Sequence, residues 1–132
     1  MFEALATDEL QAREAALRDR IADLERHKSA AAAEPARSAA EWDTIRRQLE
    51  SRAGVPAKRR GRGLSSEIAL ARRDSTTKAD QHLGFAKALV HEMPCTLAAL
   101  EAGVLSEWRA TIIVRESACL PVEDRRRLDH RM

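Results

Sequence analysis

His91 and Cys95 stand four residues apart, a spacing that puts two side chains on one face of a helix and would suit a metal such as zinc. Pro94 lies between them and breaks the helix that the spacing needs. The other histidines, His27, His82 and His130, are scattered, and the second cysteine, Cys119, has no ligand pair beside it. The sequence contains no CxxC, HExxH, phosphate-binding glycine loop, GxSxG or dinucleotide fingerprint. Carboxylates are plentiful, but each has a basic neighbour, which reads as surface pairing rather than acid–base catalysis. Neither a catalytic residue, a metal ligand, a cofactor site nor a small-molecule substrate site is expected in this chain.

Phosphate chemistry is better served. The run SRAGVPAKRRGRG holds Arg52, Lys58, Arg59, Arg60 and Arg62 and no acid. Five cations without counter-charges make a local positive field, although the net charge is only +2. Gly54, Pro56, Gly61 and Gly63 exclude a regular helix, so the run reads as a mobile basic linker. It is either a solvated connection or an arm that contacts phosphates. A second group follows. Ser66–Arg73, a turn at Asp74-Ser75 and Thr76–Val90 have the order and lengths of a helix–turn–helix, without the glycine common in its turn. Thr76, Thr77, Lys78, Gln81 and His82 would stand at the start of the second helix, able to bond phosphates or base edges. Plain helix packing is the alternative for this pair.

The elements that must hold these residues are helical. At 132 residues one domain is expected, and aromatics are only 3%, so the core is modest. No segment alternates apolar and polar residues long enough for a sheet. The prediction is all-α: a small multi-helix domain of short capped helices with a longer amphipathic helix in front. Thr7 reads as the first N-cap, followed by an apolar stripe of Leu10, Leu17, Ile21 and Leu24. So narrow a stripe must dock on its own domain or on a partner, the latter a homodimer through this N-terminal helix. Pro35 is expected to separate that helix from a second one ending at Arg52. The organisation is then a helical arm over residues 1–52, a basic linker over 53–63 and a helical core over 64–132.

Within that core Ser65 or Ser66, Ser75 and Ser106 are expected to cap helices, Met93-Pro94 and Gly103 to end them, and Pro121 to precede the last. Leu83, Leu97, Leu100, Trp108 and Ile112 are the predicted core. The last helix, from about Glu123, lacks a C-terminal stop signal, which predicts a truncated chain. No apolar run approaches the roughly 20 residues that span a bilayer. Nothing marks export, so a cytoplasmic protein with reduced thiols is expected.

RGLSSEIALARRDS, HLGFAKALVHEMPCTLAALEAG and LSEWRATIIVRESACLPVEDRR together resemble the 13E12 repeat family of actinobacteria, whose shared part is domain of unknown function 222. The resemblance extends back through AEWDTIRRQLESRAGVPAKRRGRG and covers almost the whole chain. It implies a domain that lies N-terminal to an HNH endonuclease, a metal-dependent DNA-cutting module. The chain ends before any HNH motif, so no nuclease residue carries over. The resemblance therefore implies a non-catalytic, DNA-binding or targeting domain, with DNA as its partner. The alternative is a structural dimerisation or regulatory module that does not bind DNA.

Overall fold

A computed structural model describes residues 2–132, with side chains from residue 6 onward. It contains six helices: α1 (Phe2–Arg52), α2 (Leu64–Arg72), α3 (Thr76–Glu92), α4 (Pro94–Glu101), α5 (Glu107–Ser117) and α6 (Val122–His130). A single 3-10 turn, Ala57–Arg59, lies between α1 and α2, and no strand occurs among the described residues. The all-α expectation holds. No helix is long and apolar enough to cross a membrane.

The first correction concerns α1. Two helices separated at Pro35 were expected, but one helix of 51 residues runs through the proline. At 1.5 Å per residue it is about 77 Å long. Thr7 accordingly lies inside it rather than capping it. Pro35 forfeits one backbone hydrogen bond, yet its ring faces solvent. Ala33 and Ala36 on either side of it, with Ala39 and Ala40 beyond, are buried against the domain. Alanine is the best helix former, and its small side chain lets α1 lie close to α3 and α4. Packing on both sides of the proline outweighs its local preference.

The short helices obey their punctuation in most places. Ser75 Oγ accepts from Lys78 N at 3.1 Å and Ser106 Oγ from Arg109 N at 3.2 Å, so both serines cap as expected. Neither Ser65 nor Ser66 caps α2. Gly63 does, in the left-handed conformation with φ of 82°, and Ser65 Oγ instead donates to Asp80 Oδ1 at 2.9 Å. α2 ends on Arg73, whose φ of 57° supplies the left-handed residue that a glycine usually provides.

The core lies where α3 meets α1, α2 and α4. Leu64, Ile68, Leu83, Leu89, Met93, Leu97 and Leu100 fill it, with Leu105 and Ala110 at its edge. Leu83, Leu97 and Leu100 are therefore core as expected. Trp108 and Ile112 are not: Trp108 is 65% exposed and Ile112 lies on the surface beside it. α5 turns Ala110 and Ser117 inward, flanked by half-buried Ile113 and Val114. Those four share one helix face, and Trp108 and Ile112 fall on the opposite one. Small residues let α5 approach the domain closely, and side-chain size misidentified its inner face.

Candidate nucleic-acid interface

The basic run is held to the end of α1 by its own backbone and by three side chains. Gly61 N donates to Glu50 Oε1 at 2.8 Å, and Arg60 Nε donates to the Val55 carbonyl at 2.9 Å. The Arg47 guanidinium lies against Gly61 so closely that a Cβ there would meet Nη2 at 2.7 Å, and the φ of +84° also favours glycine. These contacts leave Arg52, Lys58, Arg59 and Arg62 exposed while Arg60 is half-buried. Among the described residues none of the five makes an ion pair.

Beside this turn, α1 and α3 form a shallow groove of about 590 Å³ lined by Thr44, Arg47, Gln48, Arg60, Lys87 and His91, among others. Asp43 sits at its base, buried, with Oδ2 bonded to Arg47 Nε at 3.0 Å and 3.5 Å from Lys87 Nζ. Its Oδ1 is buried without a hydrogen-bond partner. The carboxylate thus fixes two cations in place beside the five of the turn. Sequence reasoning did not group Arg47, Lys87 and His91 with the basic run. They lie forty residues apart across a helix pair, and no local pattern links them.

Lys78 and Gln81 occupy a different place. They line a groove of about 510 Å³ between α3 and α5, with Arg72, Arg115 and Arg125 among the other walls and Phe85, Ala88 and Val114 on its apolar side. Lys87 is nine residues from Lys78, which puts the two on opposite sides of α3. The seven candidate residues therefore divide into two groups separated by that helix.

His82 borders the second groove. Arg72 Nη1 lies 3.2 Å from its Nε2, and because a guanidinium can only donate, Nε2 accepts and the proton rests on Nδ1. Nδ1 is buried without a partner. Desolvation first, and then the Arg72 charge, push the His82 pKa from 6.5 down to about 4, with Asp74 opposing. His82 is therefore neutral at pH 7 and adds no charge to the groove. The unfolded chain takes up a proton near pH 6.5, whereas the folded chain resists until about 4. Stability is thus full above about 6.5 and falls as the pH drops toward 4. Denaturation midpoints measured across that window should show the fall, and His82→Gln should flatten it. An unchanged slope in that variant would place the acid sensitivity elsewhere.

His91 and Cys95 stand on different helices, His91 in α3, which ends at Glu92, and Cys95 in α4, which begins at Pro94. No cluster of three metal-ligating side chains occurs among the described residues. The Cys95 thiol has its pKa raised, first by desolvation and then by the Asp129 carboxylate beside it. No family model, no curated protein and no solved structure matches this chain.

Proposed function

We propose that this chain is a non-catalytic helical domain of an HNH-endonuclease-type protein, of the 13E12 repeat kind, that binds DNA or targets its parent protein to it in the cytoplasm. The observation that carries the reading is the basic turn: Arg52, Lys58, Arg59 and Arg62 exposed and unpaired on a backbone fastened to α1, with Arg47, Arg60 and Lys87 alongside. Cations presented on a fixed turn lose little entropy when they meet a phosphate backbone.

Binding should release counterions, so the logarithm of affinity should fall with the logarithm of salt by about 0.9 per phosphate neutralised. Three to five contacts give a slope of roughly −3 to −4.5 on mixed-sequence duplex. Lys58, Arg59 and Arg62 are the residues to replace together by alanine, because Arg60 also holds the Val55 carbonyl. That variant should weaken binding to all sequences alike and flatten the slope by up to about 2.7. Changing Lys78 or Gln81 should instead alter sequence preference if α3 reads bases. Equal binding by wild type and triple variant, or none by either at low salt, would sink the DNA reading. A structural dimerisation module would then take its place, and the observation favouring it is the solvent-exposed apolar stripe of α1.

A further inference from the structure

The apolar stripe of the first half of α1 resumes near its end, after Lys28, Ala31, Pro35 and Ser38 on the same line. Counted in sevens with Leu10, Leu17 and Leu24 at position d, Ile21, Trp42 and Leu49 fall at a, and Ile45 falls at d. Leu10, Leu17 and Ile21 are 60, 56 and 63% exposed, and Leu24, Ile45 and Leu49 are also exposed. The domain uses mainly the other side of the helix. It buries Ser29, Ala36 and Asp43 at b, Ala33 and Ala40 at f and Ala39 at e, and the half-buried Trp42 at a packs against the core along one edge. Arg26, against which Gly103 packs, is also at f, on the side away from the seam.

We infer that α1 pairs with α1 of a second copy in an antiparallel, two-fold symmetric dimer, each N-terminal half lying along the other's C-terminal half. In this register Leu10 meets the partner's Leu49 and Leu17 meets the partner's Trp42. Ile21 meets the partner's Ser38, beside a groove of about 300 Å³ that Trp42 and Pro35 form with Ile68 and Ala71 of α2. The overlap from Leu10 to Leu49 is about 60 Å long.

Charge selects this orientation. The g positions of the first half are Arg13, Arg20 and His27, and those of the second half are Glu34, Glu41 and Gln48. Antiparallel pairing brings g against g, so Arg20 faces the partner's Glu41 and His27 the partner's Glu34. Among the described residues Arg13, Arg20, Glu34 and Glu41 make no ion pair within their own chain. Parallel pairing would instead stack Glu14 on Glu14 and Lys28 on Lys28 in the seam and set Arg13 against Arg18. Its attractive pairs, Arg20–Glu25 and Glu41–Arg46, draw on Glu25 and Arg46, which already pair with Lys28 and Glu67 in their own chain. The dimer does not depend on the DNA reading.

The test uses the whole chain with Cys95→Ser and Cys119→Ser as background. Leu10→Cys and Leu49→Cys are made singly and together. Sedimentation should show a dimer, and mild oxidation should capture the doubly substituted chain as a covalent dimer while leaving both single variants uncrossed. Arg20→Glu should weaken the dimer about ten-fold, and adding Glu41→Arg in the same chain should restore it. A monomer at every concentration reached, efficient cross-linking of either single variant, no cross-linking of the double variant, or a charge reversal that fails to restore would each overturn the inference.

Discussion

Asp129→Ala is expected to cost the fold about 3–5 kcal/mol, because one buried carboxylate holds two helices together. α4 opens on Pro94 with no side-chain cap from Met93. Its cap comes from the far end of the chain. Asp129 Oδ2 accepts from Cys95 N at 2.8 Å, and Oδ1 accepts from Thr96 N at 2.7 Å and from Thr96 Oγ1 at 2.6 Å. The carboxylate therefore satisfies amides at the positive end of α4, where an anion is favoured. Asp129 and Thr96 are both almost fully buried, so truncation leaves donors that water does not easily reach. α6 has one other strong tie, the Arg125 Nη1–Glu92 Oε2 ion pair at 2.8 Å. Guanidinium denaturation of the variant should show the loss, and Asp129→Asn should fall between it and wild type. A loss under about 1 kcal/mol would mean that α6 contributes little to the domain.

Leu100→Ala is expected to cost about 3–5 kcal/mol, whereas Trp108→Ala should cost well under 1 kcal/mol. Leu100 is fully buried in the core cluster, and its truncation leaves a cavity there. Trp108 is the larger side chain, but most of its surface already meets water. Equilibrium unfolding of the two variants side by side checks the pair. Equal losses would mean that α5 packs on the domain through its Trp108 face.

The division between what was legible and what was not follows the range of the interactions. Helix caps act within one turn, so Ser75, Ser106, Met93-Pro94, Gly103 and Pro121 could be read from neighbouring residues. Leucines at helical spacing inside those boundaries identified Leu83, Leu97 and Leu100 as core. The basic run was equally plain, because a cluster of cations without acids is a property of composition. Ser65 is the counter-example at short range: α2 starts at Leu64 with Gly63 in the cap position, so Ser65 falls inside the helix and its hydroxyl donates to a carboxylate fifteen residues away.

The sequence by itself determined the helical class, most helix boundaries and the presence of the basic run, since each depends on local propensity and spacing. Tertiary structure decided the rest. Packing of small alanines carried α1 through Pro35, and small Ala110 and Ser117 rather than large Trp108 chose the inner face of α5. It also joined Arg47 and Lys87 to the basic turn, put Lys78 and Gln81 on the other side of α3, and gave α4 a cap from Asp129. These outcomes depend on which surfaces meet across thirty residues or more, and no local pattern encodes such a meeting.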